Sequence, residues 1–300
     1  MLKTISLLLF ITVCIHLNAQ ETDMAFAAAR YSFVYVSDTT QRDNPLKQNM
    51  ILYLGKNMSN YTDYDRIEQA AKRKEDGEKG ISPGVKTMMN GKLVDPGTID
   101  MSTVKSVTVN KESGTIIIEA EPAMALRNSY YKDQATSKLS FLDYAGKMFT
   151  VEEKIPVIDW SIKDETKTIL GLQCQKAVAD FKGRTYEAWF CSQLPYSNGP
   201  WKLGGLPGLI LEAYDTRREV VFTFTSFENI DTAPVDISLP AGLVKATPKE
   251  FNQYREAIQN SRAATGGGGR TISIGSAVGG MISGDKPRQM NNPIEKEKGK

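Results

Sequence analysis

Between Ala25 and Phe227 short apolar runs keep alternating with turn-forming residues, and this rhythm constrains the fold more than any single motif. A strand with one buried face repeats every two residues, and brief runs closed by Gly, Asn, Asp or Pro join into hairpins. The pattern predicts strands at Ala28–Ser37, Met50–Leu54, Val104–Asn110, Thr115–Ala120, Val157–Ile162, Gln173–Asp180, Thr185–Cys191, Leu209–Tyr214 and Glu219–Phe227. The expected class is mainly β: a curved antiparallel sheet with one or two packed helices.

Two segments carry helix signals instead. Over Tyr61–Glu75, Thr62 stands three residues before Asp65 and Glu68 four before Lys72, the spacings of a capping pair and a helical ion pair. Thr247-Pro248-Lys249-Glu250 is a fuller start, with an N-cap threonine, proline at the first helical position and glutamate at the third. That helix is expected to reach about Ser261, with Phe251, Tyr254 and Ile258 on one face. Beyond it come the glycines of Gly266–Gly269 and a polar, charged ending. Such a stretch buries too little apolar surface to offset its ordering entropy. Residues 264–300 are therefore expected to form a largely disordered tail after a single domain over 20–263.

That domain starts at residue 20 because residues 1–19 read as a signal peptide. Lys3 precedes an apolar run from Ile5 to Ile15, and Leu17-Asn18-Ala19 offers a small residue for cleavage. The run is too short to span a bilayer. The expected location is outside the cytoplasm, in the periplasm, at the outer membrane or secreted. Cleavage after Ala19 removes the only histidine, His16, and leaves two of three cysteines. It takes Lys3 from the 37 basic residues, so 36 remain against 35 acidic ones. A nearly neutral surface gives no electrostatic case for nucleic acid or an anionic membrane. No later segment has the roughly 18 apolar residues of a transmembrane helix. The expected partner is a ligand or an envelope protein, of unknown identity.

Export makes a disulfide admissible. Lys182-Gly183 is the only turn signal between Gln173 and Cys191, and a two-residue loop there pairs Phe181 with Arg184. Counting outward puts Cys174 directly opposite Cys191. The pair beside the loop is hydrogen-bonded and the sites alternate, so the cysteines fall on a non-hydrogen-bonded site with Cα atoms about 4.5 Å apart. A disulfide can bridge that distance. A structural cross-strand disulfide is expected, the plainer alternative being two free, half-buried thiols.

Without histidine in the exported chain, Ser-His-Asp and Cys-His machinery and His-containing zinc sites are excluded, and two cysteines cannot complete an all-cysteine zinc site. There is no Walker A sequence and no Rossmann fingerprint after a strand. No cofactor or metal is expected, and no residue is assigned a catalytic role. Carboxylate chemistry stays open through Asp159, Glu187, Glu212 and Asp215 on or beside predicted strands. The plainer alternative makes them solvent-facing, or ion partners of Arg184 and Lys202.

The most unusual stretch is Ser197–Asp215, SNGPWKLGGLPGLILEAYD, which sets glycines and prolines around Trp201 before an apolar strand. Glycine permits close backbone approach and proline fixes φ, so the segment reads as a tight corner or as a binding loop. On the binding reading Trp201, Leu206 and Pro207 support the binding face. Gly205-Leu206-Pro207-Gly208-Leu209-Ile210, with Asp159-Trp160, Lys167–Gly171, Cys174–Ala177, Trp189-Phe190 and Gly199–Lys202, resembles the GLPGLI family of exported Bacteroidetes proteins. Met50–Arg66 and Asn292–Glu295 are similar to the family's N-terminal section and ending. The resemblance covers most of the exported chain, and it implies no established activity and no catalytic residues. Cys191 stands where the family pattern often has a hydroxyl residue, so the bridge is an expectation for this chain.

The favoured expectation is a non-catalytic envelope protein that binds a ligand, such as a lipid or another apolar molecule, on a β-sheet scaffold. By fold-level analogy the sheet would be a half-barrel of the lipoprotein-carrier type. The alternatives are an accessory to outer-membrane transport or surface assembly, and a carboxylate-dependent hydrolase.

Overall fold

The computed structural model describes residues 22–69, 71, 87–89, 92–94, 104–110, 115–120, 128–145, 147–231, 234–240, 242–264 and 291–296. The expected signal segment lies outside them. The first strands are β1 (Met24–Ala25), β2 (Ala27–Tyr35), β3 (Leu46–Leu54), β4 (Met58–Asp63), β5 (Thr87–Met89), β6 (Lys92–Val94), β7 (Val104–Asn110), β8 (Thr115–Ala120) and β9 (Tyr130–Asp133). Then follow β10 (Lys138–Tyr144), β11 (Met148–Lys154), β12 (Ser161–Ile169), β13 (Leu172–Phe181), β14 (Arg184–Cys191), β15 (Leu209–Asp215), β16 (Val220–Asn229), β17 (Val235–Asp236) and β18 (Val244–Ala246). A helix occupies Pro248–Ala264.

Twelve strands form one mainly antiparallel sheet in the order β12-β13-β14-β15-β16-β2-β3-β4-β9-β10-β11-β18, open at both ends. Only β11 and β18 run parallel in it. β5–β8 form a separate four-stranded sheet, and β1 pairs with β17 as a short ribbon. Among the described residues no helix is long and apolar enough to cross a membrane.

The large sheet curls around the β14–β15 connection, residues 192–208. Trp201 of that connection packs against Phe181 of β13, while its neighbour Lys202 reaches Glu153 of β11. These strands are second from opposite edges of the sheet. In a flat sheet they would lie about 43 Å apart, at roughly 4.8 Å per strand. The concave face is therefore filled by the chain itself, and the main core holds Tyr31, Leu52, Tyr61, Tyr186 and Phe222 from the sheet with Trp201, Leu203 and Leu206 from the connection.

The hairpin between β13 and β14 forms in the expected register, with Phe181 opposite Arg184 and Gln175 opposite Phe190. Lys182 and Gly183 both adopt positive φ, 50° and 72°, the geometry of the two-residue turn whose twist matches the strands. The C-terminal helix begins on its capping box: Thr247 N–H donates to Glu250 and Glu250 N–H donates to Thr247 Oγ1. Phe251 is buried against Phe149 and Val151.

Two expected elements are displaced. The segment expected as a helix from Tyr61 continues β4 to Asp63, with Thr62 Oγ1 bonded to Ser129 Oγ inside the sheet. Asp63 is the cap instead, accepting from Arg66 N–H, and residues 64–69 are helical. The strand expected over Val157–Ile162 starts only at Ser161, since Pro156 withdraws a ladder donor and Val157 stands 99% exposed.

Part of the expected tail is docked. Residues 291–296 lie across the β13–β14 turn and the end of β2, while 265–290 fall outside the described residues. The dock is Arg184, whose side chain is 2% exposed. Its Nη1 donates to Asp215 (2.6 Å) and Glu219 (3.0 Å), its Nη2 to Asn292 Oδ1 and Pro293 O (both 2.8 Å), and its Nε to Ile294 O (3.1 Å). Five acceptors thus meet the five donors of a guanidinium. Burial works to raise the Glu219 carboxyl, but Arg184 and Arg42 outweigh it and hold the group below its ordinary range. Asn292 also donates to Val36 O, and Gly183 leaves no room for a Cβ, which would come 2.6 Å from that of Lys296.

Replacing Arg184 by Met leaves two buried carboxylates short of their cation. The expected loss is about 3–5 kcal/mol, read from urea denaturation, together with faster amide exchange at residues 292–296.

Candidate functional site

The sequence-singled residues converge on the concave face, as packing. Trp201 is 2% and Leu206 1% exposed, whereas Pro207 is exposed at the tip of the connection. The Trp201 ring lies among those of Phe181, Tyr186 and Phe222. Gly208 makes the corner possible: a Cβ there would stand 2.2 Å from Cys191 O, at a φ of 154° that L side chains rarely adopt.

One buried cation fastens this connection. Lys132 of β9 points inward and its Nζ donates to Asn198 Oδ1 (2.9 Å), Gly199 O (2.9 Å) and Leu203 O (2.5 Å). Three acceptors match the three donors of an ammonium. Asn198 passes the link on through its Nδ2 to Ser59 Oγ of β4. Trp160 Nε1 donates to Gly204 O, and Lys202 pairs with Glu153 and Glu295 above the Phe141 ring. Burial works to raise Glu295, but Lys202 and Lys182 hold it below the usual carboxylate range.

The candidate carboxylates are dispersed. Asp215 is the buried partner of Arg184 (2.6 Å), Glu212 pairs with Lys167 (2.8 Å), and Glu187 pairs with Lys176 (3.0 Å). The bond from Lys176 holds Glu187 below its ordinary value. Asp159 lies in the exposed stretch before β12. The ion-pair alternative therefore describes Asp215 with Arg184, while Lys202 takes Glu153 and Glu295.

Cys174 and Cys191 are both buried and lie at the end of the expected register, but the structure records two free thiols where the sequence led to a disulfide. Burial, and then the facing Cys191, pushes the Cys174 thiol up to about 11, so a reactive thiolate is not built here.

The outer face of the sheet carries a feature that sequence reading missed. Tyr53 of β3, Asn60 of β4 and Tyr131 of β9 are direct cross-strand neighbours in one row. They line an open-mouthed cavity of about 530 Å³, bordered by Ile67 from the helical segment and by Val235, Asp236, Ser238, Leu239 and Pro240. Its size is that of a small-molecule pocket. Asn60 is the one available signal, because asparagine is depleted in strand interiors. Lys132 was equally legible as a lysine on an inward position, once the register of β9 is known.

An open, curled antiparallel sheet whose concavity is filled by its own connection defines the class of protein. A family profile described as "N-glycanase peptide, N-terminal domain" matches residues 101–251, and the chain belongs to that family. Two solved structures of PNGF-II, in the P21 and C2 space groups, are similar to it at 14% identity with TM-scores of 0.48 and 0.47. The matches cover 77% and 81% of this chain but 33% and 34% of those chains, so it spans about a third of their length. No curated protein matches the chain.

Burial pushes Lys132 down to about 7, against about 10.4 in an unfolded chain. Above pH 7 the unfolded chain holds a proton that the native state has lost, so this group adds stability as pH rises from about 7 to about 10.4. The expected gain is at most about 1.4 kcal/mol per pH unit, absent from Lys132→Met. Urea midpoints of both proteins at about pH 6.5 and about pH 8.5 check it, any contribution of the cysteines being common to both and cancelling in the comparison.

Proposed function

We propose that this protein is an exported, non-catalytic binding module whose ligand site lies on the outer face of its sheet. The observation that carries the reading is the filled concavity. The interior that an acyl-chain carrier would use is taken by Trp201, Leu203 and Leu206, each buried, with Lys132 holding the connection from behind. Among the described residues, a cavity around Asn60 offers space for a ligand. The pairing of Glu187, Glu212 and Asp215 with separate cations supports binding over hydrolysis, since acid–base work needs two carboxylates facing one substrate. The family is described as the N-terminal domain of an N-glycanase, and the dispersed carboxylates favour a binding part over a catalytic one here.

An accessory role in surface assembly is the second reading, favoured by β12, a nine-residue strand exposed along the sheet edge. Its irregular register between Ile162 and Thr166 and the charges of Lys163, Asp164 and Glu165 oppose strand addition, as protected edges do, which ranks this reading lower.

Native mass spectrometry of the protein purified without detergent from an envelope fraction tests the proposal. A bound small molecule is the expected result. An empty protein accompanied by another polypeptide would replace binding with assembly.

We also propose that the oxidising compartment closes the bridge between Cys174 and Cys191. Unreduced protein is then expected to take up no alkylating reagent under denaturing conditions, and reduced protein to take up two equivalents, one per cysteine. Uptake of two before reduction would leave the thiols free.

A further inference from the structure

We propose that the outer cavity binds a small apolar amine, with an N–H of the ligand donated to Asn60 Oδ1. This assignment rests on the binding-module reading and names the ligand class of its site.

The cavity is lined by a residue with an unmet acceptor. Asn60 is 5% exposed, and among the described residues its Oδ1 meets no hydrogen-bond donor. Its side chain sits beside that of Tyr131, its direct cross-strand neighbour in the row. A buried acceptor without a donor costs about 1–3 kcal/mol, and each such group in a native protein calls for a reason. Here the group lines a cavity of about 530 Å³, so a donor on a bound molecule supplies the missing partner.

The cavity is built rather than incidental. The 235–240 strap that borders it is anchored by the β1–β17 ribbon, by Ile237 N–H to Asp23 O (2.9 Å), and by Asp23 N–H to Ser238 Oγ (3.0 Å). The Asp23 carboxylate accepts from the backbone N–H groups of Lys56, Asn57 and Met58 in the turn joining β3 to β4. The strap and the strands bearing Tyr53 and Asn60 therefore share one anchor. Ile237 is buried beneath it at 1% exposure.

The chemistry of the lining selects the ligand. The body of the cavity is apolar: the Tyr53 and Tyr131 rings with Ile67, Val235 and Leu239. Thr22 and Ser238 add hydroxyls to the lining, and the buried polar atom left without a partner is an acceptor, Asn60 Oδ1. At the rim Asp236 is exposed, and the Ser238 hydroxyl and N–H hold its carboxyl below the ordinary aspartate range, so it is an anion at neutral pH. An acceptor inside and an anion at the mouth favour a donor-rich cation and disfavour a carboxylate or phosphate. The ring walls take its apolar body.

Titration of the exported protein with 2-phenylethylamine, followed by backbone amide shifts and calorimetry, tests this. Saturable shifts are expected at residues 53, 60, 131 and 235–240, with 3-phenylpropionate, the carboxylate of similar shape, binding at least about tenfold more weakly. Asn60→Leu, once circular dichroism shows that it folds, should weaken the amine at least about fivefold. Asp236→Asn should weaken it and remove its salt dependence. Should Asn60→Leu fail to fold, Leu239→Trp, which fills the cavity from the strap, must abolish the shifts. Absence of saturable shifts at these residues, equal binding of the carboxylate, or binding untouched by these substitutions overturns the assignment. If the amine fails while native mass spectrometry still finds a small molecule on the protein, the amine class is wrong and the binding-module reading stands.

Discussion

A sheet of twelve strands that curls must put something inside the curl, and the hydrogen bonds of Lys132 decide what. An ammonium out of water is costly unless each of its three donors is met. The Asn198 side chain and the carbonyls of Gly199 and Leu203 meet them. Those acceptors exist as a set only when the β14–β15 connection sits in the concavity in one conformation. Packing of Trp201, Leu203 and Leu206 supplies the apolar burial, and apolar burial has no direction. The lysine supplies the direction. It ties strand β9 to a corner about 70 residues away in the chain, so the curvature and the seating of the corner form together.

Arg184 answers the same problem by a different route, and the chain links the two: Leu203, held by Lys132, follows Lys202, which pairs with Glu295 next to Ile294. Its fork reaches two carboxylates on the body and three acceptors of residues 292–294. A buried ion cluster is weak evidence of net stability, because desolvation offsets much of the attraction. Its value here lies in selectivity: only a segment offering an amide oxygen and two successive carbonyls at the right spacing completes the fork. Asn292-Pro293-Ile294 does so, with proline restricting the backbone between the two side groups.

The hairpin was legible because its register depends on one turn and on counting, both local: Lys182-Gly183 determines that Gln175 faces Phe190. The C-terminal helix was legible for the same reason, since Thr247 and Glu250 cap each other within one turn. The misplaced helix at Tyr61 shows the limit. Thr62 and Asp65 have capping spacing, but Ser129, distant in sequence, claims the Thr62 hydroxyl and keeps the residue in a strand. The docking of residues 291–296 was hidden in the same way, because composition describes a segment's own apolar content and not the five-donor arginine waiting for it. Trp201 and Leu206 were found as members of an unusual motif, while their burial depended on strands from both halves of the sheet.

That motif illustrates why conspicuous residues and exposed sites part company in this fold. Two of its glycines stand where a Cβ has no room: it would come within 2.2 Å of Cys191 O at position 208 and 2.9 Å of Ile210 Cβ at position 199. Such constraints are strongest where packing is densest, and dense packing excludes ligands. A binding cavity imposes the opposite demand: walls held rigid from outside, with a polar group left short of a partner. Asn60 meets that description with a single residue in an ordinary-looking strand, flanked by two tyrosines that its sequence neighbours do not reveal. The row exists only after β3, β4 and β9 pair. In a curled sheet whose inside is taken, chemistry that faces solvent has to be assembled across strands on the outside, one residue from each.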